Sequence, residues 1–129
     1  MSSSSALELR RAGLAALANP GGQLDYLVSL AAAVGTANVT LRYVPDRLVL
    51  APGAFERYAA ELPKAIPGDW PSPEALAIAI LHDINNEIVP RWLQVTVACG
   101  VVAATHAVAV VDQQPNWKNP GLLARVGAL

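Results

Sequence analysis

Few side chains in this 129-residue sequence could do chemistry, and Glu74 stands first among them. It follows Ser72-Pro73, a helix-start signature of a capping hydroxyl, a proline at the first helical position and an acid in the first turn. A carboxylate held there can accept paired hydrogen bonds from a ligand, and such bonds are costly to leave unmade once buried. The plainer role is a favourable interaction with the helix dipole, worth about 0.3–1 kcal/mol with no ligand present. His106 alternates with Ala104, Val108 and Val110, the pattern of a core or interface histidine. Acid–base work by it would need a partner such as Glu74 brought in from another subunit. Arg42, on an extended stretch, could meet an anionic ligand, although a cross-strand ion pair is the simpler account.

The remaining candidates are weaker. Cys99 shares a strand face with Leu93, Val95 and Val97, where a buried thiol is inert filler rather than a nucleophile. His82 and Asp83 are adjacent on a helix and so point about 100° apart. His82 shares a face with Asn86, and Asp83 with Glu87, as a solvated polar stripe would. Arg91, after Pro90, is placed to bond a carbonyl or carboxylate where the helix turns into a strand. One cysteine and two histidines exclude a disulfide framework, a cysteine-based zinc site and a three-histidine zinc centre.

Nine basic against ten acidic residues leave a net charge of −1, with no basic excess to grip a phosphate backbone, so no nucleic-acid partner is expected. At 53% apolar and 15% charged the chain must collapse, yet has few charges to cover a small domain's surface. Burial of apolar surface against further copies of itself is the expected remedy. The apolar run Trp92 to Val111 is broken by Gln94, Thr96, Gly100, Thr105 and His106 and is rich in β-branched residues. It reads as two strands around a turn near Gly100, not as a membrane span. With no secretory signal in the opening residues, a cytoplasmic protein is expected.

These residues need elements to hold them. Ala6–Ala18 reads as a serine-capped N-terminal helix, ended by Asn19-Pro20-Gly21-Gly22. Gln23–Val34 reads as a strand with Leu24, Tyr26, Val28 and Leu30 on one face, and Val39, Leu41 and Tyr43 mark a second beyond a turn at Gly35. Leu48–Leu50 resume extended structure after Pro45-Asp46. Phe55, Tyr58, Ala59 and Leu62 define a helix opened by Pro52, and the chain turns irregular from Pro63 to Pro71. A second helix runs from Pro73 to Val89 with Leu76, Ile80, Ile84 and Ile88 on one side. Leu93 to Cys99 and Val102 to Val110 are the closing strands, and the tail from Asp112 docks on a neighbour. The fold class is α+β: a four-stranded antiparallel sheet in the order ββααββ, two helices on one face and an extra N-terminal helix. Residues 1–18 form an extension, 19–117 the domain and 118–129 a tail.

Asn19-Pro20 with Asp25-Tyr26, then Arg42-Tyr43-Val44-Pro45-Asp46, then PEALAIAILHDINNEIVPRWLQV resemble the tunnelling fold, nearest the nitrile reductases of queuosine biosynthesis (the QueF family). The resemblance covers about Asn19 to Trp117, and its most specific part is Glu74 to Trp92. It implies subunits that join side by side into barrels stacked around a tunnel, with purine-, deazapurine- or pterin-like rings bound between subunits. Glu74 would then anchor the ring by accepting from the N–H and amino groups on one edge.

The reductase chemistry does not carry over. Where that family holds a cysteine nucleophile, followed by an aspartate, this chain has Ala31 to Ala37. Its cofactor stretch corresponds to Ala51–Glu56, which has no lysine, so no nicotinamide cofactor is expected. Pro73 replaces the histidine of the family's His-Glu pair, and only Glu74 survives. Two readings remain: a divergent binder or enzyme acting on a heterocycle through Glu74, with His106 or Asp83 in any acid–base role, and a non-catalytic scaffold or partner subunit.

Overall fold

The computed structural model describes residues 11, 13–65, 72–101 and 103–128. In chain order the elements are β1 (Ala16–Ala18), β2 (Val28–Val34), β3 (Ala37–Val44), β4 (Leu48–Leu50), α1 (Ala54–Ala65), α2 (Pro73–Ile88), β5 (Trp92–Val101), β6 (Ala104–Gln113) and α3 (Pro120–Leu123), with a single 3-10 turn at Val126–Ala128. The main sheet runs β2-β3-β5-β6, every pair antiparallel.

Alternation along these strands decides which side carries the helices. Val39, Leu41 and Tyr43 on β3 and Leu93, Val95 and Val97 on β5 are buried in one cluster with Phe55, Tyr58 and Leu62 of α1 and Leu76, Ile80 and Ile84 of α2. Each such aliphatic or aromatic side chain contributes about 1.5–3 kcal/mol relative to exposure. Helix α1 packs on β2, and α2 lies over β5 and β6. The opposite face bears mostly small or polar side chains (Ser29, Ala31 and Ala33 on β2, Thr40 and Arg42 on β3, Gln94 and Thr96 on β5, Ala107 and Ala109 on β6), with Val44, Trp92 and Val111 toward one end. The expected ββααββ architecture, with both helices on one side of an antiparallel sheet, is the observed one.

Local chemistry sets the joints. Val34 pairs with Ala37, so Gly35-Thr36 is a two-residue turn with Gly35 at φ 58°, a conformation that favours glycine. Ser72 Oγ caps α2 by accepting from Ala75 N at 3.1 Å. The helix ends on Val89 in the left-handed region, its N–H bonded to Asn85 O, before Pro90 prevents continuation.

Several expectations need correction. Ala16–Ala18 do not close an N-terminal helix; they form β1 and pair antiparallel with β4. Residues 6–10 and 12 of that expected helix lie outside the described ones. The first long strand begins at Val28, not Gln23, because Gly21 to Leu24 form a turn closed by Leu24 N donating to Gly21 O, and Leu24 is exposed. Helix α1 runs through Pro63 to Ala65, since a proline in the last turn forfeits few bonds. Gly100 lies within β5 opposite Thr105, so the final turn falls after it. Asp112 and Gln113 belong to β6 instead of opening a tail, and Trp117 and Asn119 beyond it bond Asp25. No helix among the described residues is long and apolar enough to cross a membrane.

Candidate functional site

The first turn of α2 holds Glu74 over the edge strand β6, and the alternation of β6 turns His106 toward the helix side of the sheet. His106 Nε2 lies 2.9 Å from Glu74 Oε1, and both side chains are 54% exposed. An ionised carboxylate only accepts, so Nε2 carries the proton of this bond. The two groups therefore meet within one chain, and the partner for His106 does not have to come from another subunit. Glu74 keeps its second oxygen for an incoming donor, and His106 keeps Nδ1. The half-buried Cys99 is the cross-strand neighbour of His106 and packs against the core. Among the described residues no group of three or more His, Cys, Asp or Glu is placed to hold a metal ion.

Arg42 is not part of this constellation. It lies on the opposite face of the sheet, with Ser29 and Gln94 beside it in register. The expected cross-strand ion pair is absent among the described residues; its polar contact is Nη1 donating to Gln94 Oε1 at 3.4 Å.

Asp83 overturns the reading of a solvated stripe. It is 0% exposed, accepting from the Tyr58 hydroxyl and from Arg11 Nε at 2.8 Å. Burial also withdraws it from any acid–base role at an open site. A signal existed: Asp83 follows Leu76 by seven residues and Ile80 by three, which places it on the buried stripe. Its partners, 25 and 72 residues away, had no local signature.

A second polar cluster was only half foreseen. Arg91 bonds Leu24 O at 2.9 Å, Asp25 Oδ1 at 3.0 Å and Asp46 Oδ1 at 3.3 Å, as expected for a guanidinium at this corner. Sequence reasoning did not foresee that Trp117 Nε1 and Asn119 Nδ2 also converge on Asp25 Oδ2, at 3.2 and 3.1 Å. Burial would raise the Asp25 carboxyl, but hydrogen bonds from Asn119, Trp117 and Arg91, with the Arg91 charge, outweigh it and hold the group below its ordinary value.

A cleft of about 130 Å³ opens between β2 and the start of α1, lined by Leu30, Tyr43, Leu50, Phe55 and Glu56 among others. Burial pushes the Tyr43 phenol up, partly offset by its bond from Leu50 N and reinforced by Tyr26. Among the described residues, the one charged group lining the cleft is the Glu56 carboxylate, which repels phosphate.

No protein-family model matches the chain, and no curated protein sequence matches it. Among solved structures it is similar to the apo form of an archaeosine synthase QueF-Like, at 18% identity and a TM-score of 0.47, over 68% of this chain and 88% of that one. At this identity and TM-score the likeness carries no statement about chemistry.

Proposed function

We propose that the chain binds a planar nitrogen heterocycle of the purine, deazapurine or pterin type through Glu74, at a cleft completed by a second copy. The supporting observation is the Glu74–His106 pair: a half-exposed carboxylate, fixed at 2.9 Å by an imidazole, at the rim of a sheet. One carboxylate oxygen orients the group and the other can accept from a ring N–H. The α2 N-terminus adds a partial positive charge beside this group. The outer strands of the sheet, β2 and β6, leave backbone groups open to pairing. A second copy docked along β6 would wall in the Glu74 side.

Any acid–base step would fall to Glu74 with His106, at carboxylate and imidazole atoms already in hydrogen-bond contact. Nitrile reduction is not proposed. The two-residue turn Gly35-Thr36 leaves no loop for a nucleophile between β2 and β3. The same turn favours the second reading, a scaffold or partner subunit that keeps the sheet and lacks the reaction.

The test is a thermal-shift and calorimetric panel of guanine, 7-deazaguanine and pterin against wild type, Glu74→Gln and His106→Gln. A saturable gain with at least one ring in wild type, lost in Glu74→Gln and weakened in His106→Gln, is the expected result. No gain at millimolar ring concentration, or a gain that survives Glu74→Gln, would favour the scaffold. Light scattering at micromolar protein should show an oligomer, and a clean monomer would remove the second-copy wall.

A further inference from the structure

Arg42 sits mid-way along β3, an inner strand, between the core residues Leu41 and Tyr43, and so points away from the helices. Its guanidinium is poorly compensated. Nε is buried with no hydrogen-bond partner, and Nη1 makes one long bond, 3.4 Å, to the neutral amide of Gln94. The strand positions around it on this face are Ser29, Ala31, Thr40 and Thr96 on one side and the buried Val44 and Trp92 on the other, none of them acidic. Holding a cation partly stripped of water with no counter-charge costs free energy that an approaching anion can return.

Surrounding chemistry defines what can approach. The Nη end of a guanidinium offers parallel N–H donors that match two oxygens of a carboxylate or a phosphate. Ser29 stands directly opposite Arg42, and Thr40 and Thr96 stand one step along the same face, so hydroxyl donors lie beside the fork. Ala31 keeps the approach low and open. A second copy packed through this same face would bring the same acid-free strand positions, so that packing supplies no counter-charge.

We infer that the helix-free face of the sheet is an oxyanion site, with Arg42 binding a small phosphate or carboxylate end-on and Ser29, Thr40 and Thr96 flanking it. This site is separate from the Glu74 side and does not depend on it.

The experiment titrates full-length protein with inorganic phosphate and, separately, with acetate, each against sodium chloride at equal ionic strength. It follows the Arg42 Nε–H resonance by NMR and heat by calorimetry. Expected is a saturable shift of that resonance with one or both anions, the stronger of the two naming the source. Arg42→Gln should abolish the binding and Arg42→Lys weaken it about tenfold or more, because an ammonium lacks the fork. Gln94→Glu, which sets an internal carboxylate beside Nη1, should suppress binding while leaving the fold intact. Glu74→Gln and the exposed Arg47→Gln should leave it unchanged. No shift beyond the chloride control, or anion binding that persists in Gln94→Glu or Arg42→Gln, would overturn the inference. Should Arg42→Gln fail to fold, the wild-type resonance and Gln94→Glu still decide it.

Discussion

Asp83 on α2 accepts the Tyr58 hydroxyl of α1, joining the two helices through a carboxylate that no solvent reaches. Arg11 closes the arrangement from the N-terminal segment with Nε at 2.8 Å.

Removing Asp83 should therefore cost far more than its surface neighbours. Asp83→Ala removes the acceptor of the Tyr58 hydroxyl and the counter-charge of Arg11, with an expected loss of about 3 kcal/mol. Tyr58→Phe should cost about 1.5–3 kcal/mol, the range for a hydrogen bond to a charged group. Urea unfolding reads both as a lower midpoint at unchanged slope. A loss under about 0.5 kcal/mol for Asp83→Ala would mean the triad contributes little.

The Glu74–His106 pair should behave oppositely. Two side chains each 54% exposed lose most of their attraction to solvent screening. With the helix-dipole contribution of Glu74 included, Glu74→Gln and His106→Gln are each expected to change stability by less than about 1 kcal/mol. Thermal melts check this. A small effect makes both variants clean reporters of ligand binding, whereas a large drop would expose a structural role.

Asp25 sets an acid limit on the C-terminal strap. Its carboxyl titrates lower folded than unfolded, so its contribution is present above the ordinary carboxylate range and is lost as pH falls through the folded value. The Trp117 and Asn119 contacts should then release, and indole fluorescence should change before the sheet unfolds. Asp25→Asn should flatten that acid limb of the stability profile. An identical acid limb in the variant would place the loss elsewhere.

Val89 offers a gain. A β-branched residue at φ 42° and ψ 61° strains the left-handed region, and its side chain is mostly exposed. Val89→Gly relieves about 1–2 kcal/mol of strain and loses about half of it to the freer unfolded chain. A net stabilisation of about 0.5–1 kcal/mol is expected in urea melts. A loss would show that the valine's contacts outweigh its backbone.

Particular residues explain what could be read in advance. Ser72, Pro73 and Pro90 bracket α2 with local chemistry, so its limits were legible to within one residue. The sheet was legible because Val39, Leu41 and Tyr43 alternate without exception. Leu24 and Tyr26 continue that alternation by composition alone, yet no neighbouring strand pairs them, so pattern without a partner misled. Ala16–Ala18 have helical propensity that their pairing with Leu48–Leu50 overrides. Glu74 and His106 were each visible, but their meeting depends on how α2 crosses the sheet, which no local pattern encodes. Trp117 and Asn119 could not be assigned to Asp25 for the same reason: the link spans more than ninety residues.

Helix α2 is pinned along its length: at Asp83, about 13.5 Å along from Glu74 at a rise of 1.5 Å per residue, and at Leu76 and Ala77, buried within one turn of Glu74. The carboxylate is thus held on a fixed bearing before anything arrives. A visiting molecule would find its seat already set and would spend little of its contact energy on ordering the protein.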